Sequence, residues 1–278
     1  MEAERADSAV QAETTGILNF LGPMSEFPVF YVRQTAKTNL NLVPQQVRIR
    51  DYRNLSPTLE KEGFALFAHE FDIKGETDPA AIAREYFPSL NELMKRITGA
   101  PKVMNSRPVL RWNGEAPQGV PLNSKPARFV HSDYNIESFY GFAHKMIEKD
   151  PDRGHWLSGR IAAFNVWRVL SVPPQDMPLA VLDKSSIDPK DQAKATSYID
   201  DPKQSMSHGA TLWRYSAGQR WAYFSDMTPN EALVFLSFDS ENHDVAGPAH
   251  SGFDDPKCPA GVVPRSSLET RVYCYWGC

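Results

Sequence analysis

From residue 102 to residue 276 the chain is a succession of short aromatic and β-branched segments separated by turn residues. KVMNSRPVLRW, ARFVHSDY, RIAAFNVWRVL, PLAVLD, ATLWRYSAG, QRWAYFSDM, EALVFLSFD and LETRVYCYW follow one another in that order. Apolar runs this short, bounded by turns, fit strands better than helices. One convincing helix interrupts them, IESFYGFAHKMIEKD over residues 136–150, with Pro151 behind it. Strands in series, without a regular alternation of helices, predict a sandwich or barrel and argue against a parallel doubly wound sheet.

The N-terminal third has a different texture. Residues 1–15 read as a disordered tail, and ILNFLGPMSEFPVFYV after Gly16 as extended chain. VRIRDYRN, residues 47–54, alternates like an edge strand, and Gly63 breaks the chain before the apolar run FALFA. Residues 78–99 form the best helical stretch of this region. Asp78 is a suitable N-cap, Pro79 suits the first helical position, and Gly99 follows Lys95 and Arg96 as a stop signal. Pro88 is expected to split this stretch in two. With no repeat and no linker, residues 16–278 read as one domain, with a helical part near 78–99 and a strand core from about 101 to 278.

Composition excludes several function classes. The formal net charge of −4 offers no basic stripe for nucleic acid. No apolar run approaches the roughly 18 residues of a membrane span. Cys258, Cys274 and Cys278 make neither a disulfide framework nor a zinc pattern, as expected of thiols in a reducing compartment. The opening MEAERADSAVQAETTG is acidic and polar, without the apolar core of a secretory signal. A soluble, cytoplasmic protein is expected, and its oligomeric state is not fixed by the sequence.

The chemistry points to one constellation. In ARFVHSDYN, His131 and Asp133 stand two apart at the end of a short strand, so both side chains project from the same face. His250 in GPAHSGFDDP is the candidate third ligand, and His243 competes with it. Two imidazoles and a carboxylate leave open positions on an octahedral ion, an arrangement suited to Fe(II) and O₂. The His-x-Asp spacing is weak by itself: with 34 acidic residues in 278, seven histidines give about one such pair by chance. His69, His144, His155 and His208 read as structural or loop residues.

Several segments together resemble a known family. GFALFAH, YFPSLNELMKRITGA, FVHSDY, FNVWRVL, PLAVLD, WRYSAGQRWAYFSDMTPNEALVFLSFDS, AHSGFDDP and PRSSLETRV, in this order, are similar to the hydroxylase/desaturase family that includes fungal gibberellin desaturase, the aspergillic-acid cluster hydroxylase and a cephamycin-methoxylation component. The resemblance spans roughly residues 45–275. It implies a mostly β fold with a helical layer, a double-stranded β-helix (jelly-roll, cupin-like) barrel. It also implies an Fe(II)/2-oxoglutarate-dependent dioxygenase that hydroxylates, desaturates or oxidatively cyclises a small molecule in specialised-metabolite biosynthesis, and it favours His250 over His243. Val169 and Ser216 depart from the common family pattern of proline and asparagine, so no relative's substrate transfers.

In such an enzyme the distal carboxylate of 2-oxoglutarate needs a cation, and arginine's fork of donors suits it. Arg265, in the sequence Arg265-Ser266-Ser267, and Arg271 both follow His250; Arg271, deeper in an apolar strand, is slightly favoured. Ser267 and Asn165 are further cosubstrate candidates. Trp167, Arg220, Trp221, Tyr223 and Tyr134 are substrate-pocket candidates, with Arg168 expected to face outward. A same-triad iron oxygenase that spares 2-oxoglutarate and a non-catalytic small-molecule-binding barrel are the alternatives. A methyltransferase is disfavoured, because no GxGxxG-type loop opens a helix.

Overall fold

A computed structural model describes residues 12–117, 125–201, 204–242 and 246–278. Its strands and helices run β1 (Glu13–Leu21), β2 (Val29–Tyr31), β3 (Leu42–Asp51), β4 (Phe64–Ala68), α1 (Pro79–Thr98), β5 (Lys102–Asn105), β6 (Val109–Trp112), β7 (His131–Ser132), α2 (Ile136–Met146), α3 (Arg153–Ser158), β8 (Arg160–Val169), β9 (Leu179–Leu182), β10 (Gln192–Asp201), β11 (Gln204–Trp213), β12 (Trp221–Tyr223), β13 (Glu231–Asp239), β14 (His250–Gly252) and β15 (Ser266–Gly277).

The strands form two sheets. The larger has the order β1-β3-β12-β9-β14-β7-β11-β10-β2; the smaller has β4-β13-β8-β15-β5, with β6 also paired to β15. The chain crosses between them repeatedly: β7, β9, β12 and β14 lie in the large sheet, and β8, β13 and β15 in the small one. This winding is the jelly roll. Trp167, Val169, Leu233 and Phe235 of the small sheet share one apolar cluster with Leu179, Val181 and Ala222 of the large sheet. Face-to-face burial of that kind is what strands apolar on their inner side require.

Helix α1 covers the outer face of the small sheet. Ile82, Tyr86, Leu90, Leu93 and Met94 recur at three- and four-residue intervals and pack on Phe164, Val166, Val234, Val272 and Cys274. Asp78 accepts hydrogen bonds from the Ala80 and Ala81 amides, and Gly99 ends the helix at φ 70°. Both caps are as expected, but Pro88 does not split the helix, which runs unbroken through it. Burial of the apolar stripe on both sides of the proline outweighs the one backbone hydrogen bond that the proline removes.

Four other expectations change. Strand β1 begins at Glu13, inside the segment assigned to a tail, and pairs with β3 along its whole length from Glu13↔Arg50 to Leu21↔Leu42. Strand β3 is therefore interior, flanked by β1 and β12, and not an edge. A second helix, α3, follows α2, which itself stops at Met146. Strands β1 to β4 all join the two sheets, so the barrel starts well before residue 101. Among the described residues no helix is long and apolar enough to cross a membrane.

Candidate metal centre and cosubstrate cavity

Strands β7 and β14 lie side by side, and their register sets His131 directly opposite His250. Directly opposed residues of an antiparallel pair share a face, and the two rings are 4.4 Å apart between centroids. Asp133 is two residues beyond His131. One ligand atom from each of the three lies within 4.8 Å of the other two. His131 Nδ1 donates to the Phe129 carbonyl at 2.9 Å, which fixes the tautomer and leaves the Nε2 lone pair free for a metal. His250 Nδ1 is buried with no hydrogen-bond partner. The competitor His243 lies outside the described residues.

The surrounding charge keeps these groups ready to ligate. Burial pushes the His131 imidazole down from its ordinary value. Burial and the nearby His131 take His250 down to about 3. Both are neutral near pH 7, the form that binds metal. Burial would raise the Asp133 carboxyl, but the Arg271 guanidinium and the two histidines outweigh it and hold the group well below the usual carboxylate range. Asp133 accepts from Asn165 Nδ2 at 2.6 Å through one oxygen and from Arg271 through the other. Each carboxylate oxygen has a second lone pair, so a ligand position remains. Two neutral imidazoles and one anionic carboxylate fit a divalent iron.

A cavity of about 450 Å³, its mouth included, adjoins the triad and is lined by His131, Trp167, Phe235, His250, Arg265 and Arg271, among others. Arg265 is only 2% exposed, yet its Nε and Nη1 have no hydrogen-bond partner. Its guanidinium lies 5.4 Å from the Trp167 ring centroid. Burial, reinforced by Arg111, lowers it to about 10, so it stays cationic at neutral pH. Two residues on, Ser267 is fully buried and its hydroxyl is also unpartnered. Asp176 and Glu269 offset only part of the cost of burying this cation, and a carboxylate bound in this cavity would offset more.

Known proteins carry the same plan. A family profile described as "Oxidoreductase/YMDC permease-like domain" matches residues 18–275. The Fe(II)/2-oxoglutarate-dependent dioxygenase nvfI of Aspergillus novofumigatus is 30% identical over 264 residues, 89% of this chain and 91% of that protein. The hydroxylase/desaturase asaB of Aspergillus flavus is 31% identical over 68% of this chain and 89% of its own. A solved structure of the iron and alpha-ketoglutarate-dependent endoperoxidase NvfI superposes with a TM-score of 0.81 at 28% identity, covering 96% of this chain and 99% of that one. The chain belongs to the family of Fe(II)/2-oxoglutarate-dependent dioxygenases that includes fungal hydroxylase/desaturases.

Within this dioxygenase the remaining sequence candidates divide by place. Asn165 and Trp167 both face the interior from β8, but Asn165 holds Asp133 and only Trp167 lines the cavity. Arg271, the arginine favoured from sequence, is engaged: it pairs with Asp133 and lies 2.8 Å from Glu269. Both line the cavity, but of the two Arg265 is the one with guanidinium nitrogens unpartnered among the described residues. Arg168 does point away from the cavity, yet it is fully buried; it bonds the Phe71, Pro229 and His69 carbonyls beneath α1. Arg220 sits on the outer surface with Asp183 and Ser185.

Trp221 and Tyr223 pack into a separate apolar cluster with Phe20 and Phe253, and Tyr134 shares a 2.6 Å hydroxyl contact with Tyr273. None of these three, nor Arg220, lines the cavity. Glu269, Arg111, Leu179 and Phe235 line it and were not anticipated. A signal for Glu269 was present: Arg265, Ser267, Glu269 and Arg271 are alternate residues of one strand region, a polar row that only an inward face with a ligand explains.

Proposed function

We propose that His131, Asp133 and His250 bind Fe(II), that Arg265 and Ser267 hold the distal carboxylate of 2-oxoglutarate, and that the enzyme hydroxylates, desaturates or cyclises a small molecule of specialised metabolism. One observation carries this reading: the three convergent ligand atoms lie beside a cavity, lined by His131 and His250, whose buried Arg265 has two guanidinium nitrogens without a hydrogen-bond partner among the described residues. When bound, iron and 2-oxoglutarate supply the oxidising power, with O₂ consumed and the keto acid decarboxylated to succinate. The chain's own residues do the positioning. Phe129 orients His131, while Asn165 and Arg271 orient Asp133. Trp167, Leu179 and Phe235 wall the cavity with apolar surface and limit water. All three cysteines are unpaired, which supports a reducing, cytoplasmic setting.

The test is anaerobic addition of Fe(II) and then 2-oxoglutarate, followed by oxygen. A visible charge-transfer band and stoichiometric succinate are expected, with both lost in His131→Ala and His250→Ala. Iron binding without succinate would favour a triad oxygenase that spares 2-oxoglutarate. No iron uptake would leave only a binding barrel.

A further inference from the structure

The cavity beside the triad is small and lined on one side by Arg111, Arg265, Glu269 and Arg271, groups suited to a short dicarboxylate and not to a bulky apolar molecule. A bulky substrate needs more room than that cavity gives. A second and larger hollow, about 1060 Å³ with its open mouth, lies between α2 and the β10–β11 pair. Without the open mouth about 580 Å³ remains, within the roughly 300–1,000 Å³ of small-molecule sites.

The register places one side of this hollow next to the metal ligands. Leu212 of β11 is opposite His131 of β7, so Leu212, Ala210 and His208 share the face from which His131 and Asp133 project. On the next strand, Ala195 and Ser197 are opposite Ala210 and His208, which gives this face a low floor. Asn135, two residues after Asp133, belongs to the wall. Of this row His208 lines the hollow, and with Asn135 it puts the hollow's near end one strand over and two residues along from Asp133.

Its lining is mostly uncharged, with Phe27, Phe142, Met206 and Ala195 among its residues. Lys194 is neutralised by Glu137 at 2.8 Å. Lys145 stands on the rim. His208 is a half-buried polar group of the lining. Its Nδ1 is buried without a partner, and the Phe142 ring meets it edge-on at 5.4 Å between centroids. Burial, then the nearby Arg271, lower its imidazole to about 4, so it offers a neutral donor or acceptor at pH 7.

We infer that this hollow is the substrate site, that it takes a bulky, neutral, mostly apolar molecule bearing a carbonyl or hydroxyl oxygen, and that His208 recognises that oxygen. The inference rests on the proposed function above and adds to it the substrate's location and chemical class.

Gly141 allows a clean test. It lies on the α2 wall of the hollow, and a Cβ there meets nothing within 4 Å. Gly141→Trp should therefore fill the hollow without disturbing the fold. The anaerobic Fe(II)/2-oxoglutarate-loaded protein is titrated by calorimetry with progesterone as the neutral probe and palmitate as the anionic one. Wild type is expected to bind progesterone more tightly than palmitate, and Gly141→Trp to bind neither. His208→Ala should weaken progesterone about 5- to 10-fold, the worth of one hydrogen bond, and His208→Asn should recover part of it. The charge-transfer band should be unchanged in all three variants. No progesterone binding by wild type, tighter palmitate binding, or full binding by Gly141→Trp overturns the inference while a normal band keeps the proposed function. Absence of the band in wild type overturns both.

Discussion

Replacing Arg265 with methionine should move two quantities in opposite directions. The fall of its guanidinium from 12.5 to about 10 on burial corresponds to about 3 kcal/mol lost by the charged form in the folded protein. Methionine removes that cost and leaves no polar atom beneath Trp167, so the ligand-free protein should be as stable as wild type or more so. At about 2–4 °C per kcal/mol for a chain of this size, Tm should hold or rise by several degrees. The bound cosubstrate should suffer the reverse. Removing one partner of a desolvated charge pair costs about 2–5 kcal/mol, or about 30- to 4,000-fold in affinity. The assay pairs calorimetric Kd for 2-oxoglutarate on the Fe(II) form with thermal unfolding of the metal-free form. A Tm lower by several degrees, with unchanged 2-oxoglutarate affinity, would show that Arg265 is a structural cation and that the reasoning is wrong.

Three further outcomes follow from the same geometry. Arg271→Leu breaks the buried pair with Asp133 and should destabilise the protein by about 3–5 kcal/mol in urea unfolding, with its effect on 2-oxoglutarate Kd smaller than that of Arg265→Met. Asn165→Leu removes the 2.6 Å bond to Asp133 and should weaken Fe(II) binding about 10- to 100-fold by competition with a fluorescent chelator, with the fold intact. Acid should destabilise the metal-free protein: His250 is depressed to about 3, so between pH 6.5 and 3 the unfolded chain binds the proton that the folded chain refuses. His250 alone should contribute about 2 kcal/mol of lost stability by pH 5, and urea midpoints that stay flat from pH 7.5 to 5 would contradict its neutral burial.

Local signals of the fold read well. Strand segments bounded by turns, Asp78 and Gly99 at the ends of α1, and the two-residue spacing of His131 and Asp133 all depend on neighbours a few positions away. Where the reading failed, a distant contact decided. Pro88 is a helix breaker by propensity, but Ile82 and Tyr86 before it and Leu90, Leu93 and Met94 after it are buried on one sheet. VRIRDYRN alternates like an edge, yet Glu13–Leu21 adds a further strand outside it. Trp221 and Tyr223 have the composition of a ligand pocket and fill a core instead.

The two arginines mark the boundary between what order and what packing determine. Residue order alone placed both after the distal histidine and supplied the donors, the alternating inward row and the triad's residue types. It did not say which guanidinium was already engaged, because Asp133 lies 138 positions from Arg271 and the pairing exists only once the sheet that carries β15 is packed on the sheet that carries β7. Tertiary structure set His131 opposite His250, gave Arg271 its ion pair with Asp133 and left two guanidinium nitrogens of Arg265 without a partner among the described residues. The physical reason is that a buried charge is defined by its partners, and partners across sheets are chosen by register, which no local stretch of the chain encodes.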